Sequence, residues 1–167
     1  MSTNATLRPA GPDDEGFIIE VYGSTREHEL SAVPWSPEQK QAFIKMQHAA
    51  QQAHYRKFYP EGEQSVIVWG DARVGRVYVA RTEKQIRILD ITILPGYRNL
   101  HIGSGIIRGL MSEGERTGKP VAIMVESYNP SLQLFERLGF TQGEAKGAHV
   151  LMEWRAGDQG PAGITEG

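Results

Sequence analysis

The run Asp90–Gly105, DITILPGYRNLHIGSG, sets alternating apolar residues ahead of a glycine-bearing turn that opens an apolar helical pattern. A strand entering a helix through such a turn aims backbone N–H groups at one spot, and the helix dipole adds partial positive charge there. That arrangement suits a phosphate. It also constrains the fold, because the strand before the turn and the helix after it must bury their apolar sides in one core.

The rest of the chain divides by hydrophobic period. ATLRPA reads as a short edge strand ended by Pro9, and GPDDEGFIIEVYGS as a helix with Pro12 in its first turn. The longest helix is expected over SPEQKQAFIKMQHAAQQAHYRKFY, with Ser36 as N-cap, Pro37 at N1 and Gln39 completing a capping box. Its spacing puts Phe43, Met46, Ala50, Ala53 and Phe58 near one apolar face. The period then changes from helix to strand. QSVIVWG and VGRVYVAR read as a hairpin around Asp71-Ala72-Arg73, and KQIRILDITIL as a third strand. After the turn, IGSGIIRGLMSEGERTG has Ile102, Ile106 and Leu110 on one helical face, with Gly118 as C-cap and Pro120 as stop. VAIMVE is a continuous apolar run suited to a buried strand of a parallel pair. Asn129 caps a short helix over NPSLQLFERLGF, and HVLMEWR is the last strand, preceded by a short one at FTQ. The order is β-α-α-β-β-β-α-β-α-β-β.

At 167 residues one domain is expected, over 1–155, with 156–167 as a disordered tail. The formal charge of −2 disfavours a nucleic-acid binder that relies on bulk electrostatics. No apolar run approaches the roughly 20 residues that cross a bilayer, so no membrane partner is expected. The absence of cysteine removes disulfides, thiolate metal sites and a cysteine nucleophile. His28, His48, His54, His101 and His149 show no metal-ligand spacing, so no metal is expected. The opening residues have neither a basic segment nor an apolar h-region, and the expected address is the cytoplasm.

Two readings of the phosphate turn fail on spacing. A P-loop needs Gly-Lys-Ser/Thr at the helix start, whereas Gly118-Lys119 lies at the far end and precedes Pro120. A dinucleotide fingerprint needs G-x-G-x-x-G, whereas Gly103, Gly105 and Gly109 are one residue too wide. The third pattern is R/Q-x-x-G-x-G/A, which Arg98-Asn99-Leu100-His101-Ile102-Gly103 fits except at His101. ITILPGYRNLHIGSGIIRGLM followed by ESYNPSLQLFERLGF resembles the GCN5-related N-acetyltransferase (GNAT) superfamily, in its acetyl-CoA motif and its following helix and strand. The motifs cover roughly residues 87 to 140. The resemblance implies an α/β (α+β) fold: a mixed, mostly antiparallel central sheet with one parallel, splayed strand pair, flanked by about four helices.

It also implies acetyl-CoA as co-substrate. Ile91 and Ile93 would offer backbone hydrogen bonds to the pantetheine arm. Arg98, Asn99, His101, Gly103 and Ser104, with Leu100 and Ile102 between them, would surround the pyrophosphate, and Asn129 would reach the cofactor from the next helix. Helix packing and plain capping are the structural alternatives for the glycines and Asn129. At His101, a left-handed backbone would cost about 1–2 kcal/mol, although histidine visits that region more than most residues. The alternatives are an ordinary backbone with the ring in solvent, and an imidazole that contacts the phosphates or the adenosine end.

A GNAT-type reaction is attack of a neutral amine on an acyl thioester. Asp90 interrupts an apolar strand on the face of Thr92, opposite Ile91 and Ile93, and is the first candidate base. A structural partnership with Arg87 or Arg73 is its alternative. Glu126, at the end of AIMVE, is second. The family often has a tyrosine where this chain has Phe135, so its usual acid is missing; Tyr128 is a substitute, with plain packing as the alternative. In the loop YGSTREHELSAVPWSPEQK, Glu29 would hold an ammonium, Arg26 a carboxylate, and Trp35 adds an aromatic surface. The expected acceptor is a primary amine of a small molecule or peptide. A non-catalytic acyl-CoA-binding domain is the rival, favoured by Phe135 and His101. Exposed strand edges suit a homodimer.

Overall fold

The computed structural model describes residues 5–157. The expected disordered tail lies outside the described residues from position 158 onward. Seven strands form a sheet of order β1-β2-β3-β4-β5-β7-β6. They are β1 Thr6–Pro9, β2 Gly62–Trp69, β3 Ala72–Arg81, β4 Ile86–Ile93, β5 Val121–Glu126, β6 Thr141–Lys146 and β7 His149–Trp154. The helices are α1 Glu15–Ser24, α2 Glu27–Ser31, α3 Pro37–Phe58, α4 Ile102–Thr117 and α5 Ser131–Arg137. The parallel pair is β4 with β5, in register from Ile86–Val121 to Ile88–Ile123. β1–β2, β5–β7 and β6–β7 are antiparallel.

One compact unit comprises the chain up to Tyr78 together with Asp90–Gly103. Its core sets Phe17, Ile18 and Val21 of α1 against Val66 of β2, with Ala10, Val68 and Leu94 around them. Asp14, 3% exposed, ties the N-terminal segment down. Its carboxylate accepts two hydrogen bonds from Arg8, at 2.9 and 3.0 Å, one from the Gly11 N–H and one from Arg73. Ser36 and Gln39 form the expected capping box of α3. A Cβ on Gly23 would stand 3.3 Å from Ile44, so this glycine lets α1 approach α3 closely.

Three expectations need correction in this unit. The expected loop after α1 contains the short helix α2. The hairpin turn is Gly70-Asp71, not Asp71-Ala72-Arg73, because Gly70 takes the left-handed conformation (φ 66°) that a two-residue turn favours. The largest difference concerns α3. Met46 and Phe58 are 60% and 58% exposed, and Ala50 and Ala53 face solvent as well. The inward stripe is Ile44, Gln47, His48, Gln51 and Tyr55. The cause is Arg76 of β3, 1% exposed, whose N–H groups need acceptors that an apolar helix face could not supply.

The other unit comprises Val79–Leu89 and the chain from Ser104. Ile106, Ile107 and Leu110 of α4 are buried, as are Val121, Ala122, Ile123 and Val125 of β5. Helix α4 ends in a left-handed Gly118 (φ 72°), with Lys119 N–H donating to Gly114 O at 2.9 Å, a Schellman closure. Gly114 is sterically required, since its Cβ would lie 2.7 Å from Lys119 O. Helix α5 starts at Ser131 with Pro130, and not Asn129, at its N-cap; one residue earlier, Asn129 Oδ1 accepts the Ser131 N–H at 2.9 Å.

Candidate active site

The turn between β4 and α4 has a defined geometry. A 3-10 turn at Pro95–Tyr97 follows β4, Arg98 is extended, and α4 begins at Ile102. Asn99 (φ 65°) and His101 (φ 62°) are both left-handed, the two non-glycine residues with positive φ among those described. His101 therefore adopts the strained backbone and not the ordinary one, with its residue surface exposed. Asn99 was not anticipated, although asparagine is among the few residues that tolerate this conformation. Leu100 between them is 40% exposed. The Arg98 side chain folds back, its Nε donating to Ile93 O at 3.1 Å.

The glycines of α4 separate into two kinds. A Cβ on Gly103 would come no nearer than 3.8 Å to Ile93, and at Gly105 and Gly109 it would meet nothing within 4 Å. Glycine within a helix costs about 0.5–1 kcal/mol relative to alanine. Only Gly114 has a packing reason for that cost. Bare backbone at a helix N-terminus suits close approach by a phosphate, and Gly103 and Gly105 leave the start of α4 bare in this way.

Asp90 sits half-buried on β4, its side chain 22% exposed. Oδ2 accepts from Arg76 Nε at 2.8 Å and from Thr92 Oγ1 at 3.0 Å, so Asp90 and Thr92 share a face. The partner is Arg76, and not Arg73, which is bound to Asp14. Arg76 is held in turn by Gln64 Oε1 at 3.1 Å, by Gln51 Oε1, and by a longer contact of 3.4 Å to His48 Nε2. Burial, and then the charge of Arg76, hold the His48 pKa below its ordinary value. Burial pushes the Tyr55 hydroxyl well above the usual tyrosine range. Arg76 was missed from the sequence, although it interrupts an apolar strand just as Asp90 does.

In the expected acceptor segment, Arg26 and Glu29 bind each other at 2.8 Å, and Arg26 Nε also reaches the Tyr22 hydroxyl at 3.2 Å. Trp35 packs edge-on against Phe43 with centroids 5.3 Å apart. A groove of about 650 Å³ runs between α1, α2 and α3 to Leu94 and Pro95. Glu20, Glu27 and Lys40 line it; Arg26, Glu29 and Trp35 do not.

Ser104, Glu126, Tyr128 and Asn129 belong to the second unit. Ser104 is buried in the first turn of α4. Tyr128 is 74% exposed, not packed, and its hydroxyl donates to Glu126 Oε2 at 3.1 Å. Phe135 is buried against Phe140. Among the described residues, no group of three or more His, Asp and Glu could hold a metal ion, and no helix is long and apolar enough to cross a membrane.

A mixed, mostly antiparallel sheet with one parallel pair, β4 with β5, and a bare-backbone turn from β4 into α4 matches the fold of acetyltransferases. The acetyltransferase (GNAT) domain family matches residues 32–150, and the chain belongs to it. The fold is similar to the PaiA N-acetyltransferase of Thermoplasma acidophilum solved with coenzyme A, at 15% identity over 93% of this chain and 99% of that one (TM-score 0.69). An acetyltransferase of Thermus thermophilus is similar at 14% identity over 93% and 99% (TM-score 0.66). Ard1 of Thermoplasma volcanium is similar at 16% over 90% and 96% (TM-score 0.57). No curated protein matches the chain in sequence.

Proposed function

We propose that this chain transfers an acetyl group from acetyl-CoA to a primary amine of a small molecule or peptide by direct attack. The observation that carries this reading is the turn Arg98–Gly103, with two left-handed residues and packing-free glycines at the start of α4. Arg98 to Ser104 would hold the pyrophosphate. Binding would draw the Arg98 guanidinium from Ile93 O toward the phosphates, which frees that carbonyl for a strand-like hydrogen bond to the pantetheine arm, beside Ile91. Bound acetyl-CoA supplies a thioester whose carbonyl carbon the amine attacks and whose sulfur leaves.

Asp90 has one oxygen committed to Arg76 and Thr92, while Oδ1 accepts no hydrogen bond from the described residues. That oxygen takes the proton the amine loses as its nitrogen–carbon bond forms, and water protonates the leaving sulfur. On the second unit, Glu126 is the alternative proton acceptor and Tyr128 the candidate donor.

The test is incubation with acetyl-CoA and a panel of amines while thiol release is followed. Turnover that Asp90→Asn lowers to a measurable residual level or shifts in pH is expected. Full turnover by that variant at every pH would remove Asp90 as base. Binding of acetyl-CoA with no turnover of any amine would favour a non-catalytic acyl-CoA-binding domain, the reading that the buried Phe135 supports.

A further inference from the structure

We propose that Arg76 is a positioning residue for acyl transfer, gripping Asp90 Oδ2 from inside the protein so that Oδ1 is presented to the amine. This rests on the acyl-transfer reading of Asp90. Arg76 lies on β3 in the run VGRVYVA, where every neighbour from Val74 to Ala80 is buried. A guanidinium at 1% exposure is expensive, and a well-packed hydrophobic residue of similar volume is often as stabilising as a buried ion pair. Stability alone therefore gives weak reason for an arginine here.

Its bonds give a better one. Nε goes to Asp90 of β4, Nη1 to Gln64 of β2 and His48 of α3, and Nη2 to Gln51 of α3. The guanidinium plane is thus held from three elements, and Asp90 is its one anionic partner among these. Thr92 binds the same carboxylate oxygen. A planar fork anchored on every side fixes the carboxylate's rotation, which a flexible ammonium could not do. His48 and Gln51, on the inward face of α3, are the other half of this clamp.

The test is a double-mutant cycle of Arg76→Lys and Asp90→Asn, reading kcat and KM for the amine and the dissociation constant of acetyl-CoA. Arg76→Lys is expected to lower kcat/KM for the amine roughly 10- to 100-fold, the scale of a small misplacement of a reacting group. Acetyl-CoA affinity should stay within about twofold, and in the Asp90→Asn background the same change should cost less than about twofold, because the two act as one unit. Equal losses in both backgrounds, or a loss of acetyl-CoA binding that matches the loss of turnover, would make Arg76 structural only and overturn the proposal. If Arg76→Lys does not fold, Gln64→Glu places a rival carboxylate on Nη1; it should lower kcat/KM without changing acetyl-CoA affinity, and unchanged kcat/KM would overturn the proposal. Wild-type protein that acetylates no amine would instead be a failure of the acyl-transfer reading. The pair is still read by the Arg76 Nε–H resonance, which must move in Asp90→Asn; one that does not move sinks the clamp itself.

Discussion

Arg76 Nε stands 2.8 Å from Asp90 Oδ2, joining a fully buried cation to a carboxylate whose side chain is 22% exposed. Removing the anion strands the cation. Asp90→Ala should destabilise the fold by about 3 kcal/mol, the low end for a broken buried pair because Asp90 is partly solvated. Asp90→Asn retains a carbonyl acceptor and should cost clearly less. Urea denaturation of the two variants side by side gives the comparison, and equal losses would contradict it.

The packing-free glycines separate stability from binding. Gly105→Ala should raise stability by about 0.5–1 kcal/mol, since its Cβ meets nothing within 4 Å. The same change should weaken acetyl-CoA binding if phosphate approaches that backbone. Gly114→Ala should destabilise, because its Cβ would lie 2.7 Å from Lys119 O. Thermal melts with and without acetyl-CoA report both effects.

His101, with φ at 62°, carries backbone strain that glycine would relieve. His101→Gly should gain up to about 1 kcal/mol, and His101→Val should lose stability, because a β-branched residue suits this conformation least. Acetyl-CoA should bind His101→Gly roughly 2- to 10-fold more weakly, the worth of one hydrogen bond. Unchanged affinity would leave His101 a backbone role alone.

Two buried groups shape the acid response. His48 has its pKa depressed by burial and by Arg76, so the unfolded chain takes up this proton before the folded one does. Stability should therefore fall as pH drops below about 6.5, the unfolded value, and His48→Gln should flatten that slope. Asp14 is depressed by its hydrogen bonds to Arg8 first, then to Gly11 and Arg73. Its contribution is complete above about pH 4 and fades as pH falls toward its lowered folded value. Asp14→Asn should remove that lower limb; denaturation midpoints from pH 3 to 7 would show whether either slope persists.

Much of the architecture was legible because local rules dictate it. Ser36, Pro37 and Gln39 announce α3, Gly118 ends α4, and the apolar runs of β4 and β5 suit a parallel pair, since capping, turn and burial preferences act over a few residues. The turn from β4 into α4 was readable for the same reason, with His101 marked as its unusual position. What the chain order could not reveal is which distant residue answers which. Periodicity pointed α3 the wrong way round because it counts apolar side chains, whereas the orientation is decided by Arg76, 28 residues beyond His48 along the chain. Likewise Asp90 was visible as an unusual carboxylate, but its partner was not, and Arg26 and Glu29 turned out to satisfy each other. Local propensity is written residue by residue; the pairing of buried charge is settled only when strands and helices close on one another and exclude the water that would otherwise solvate it.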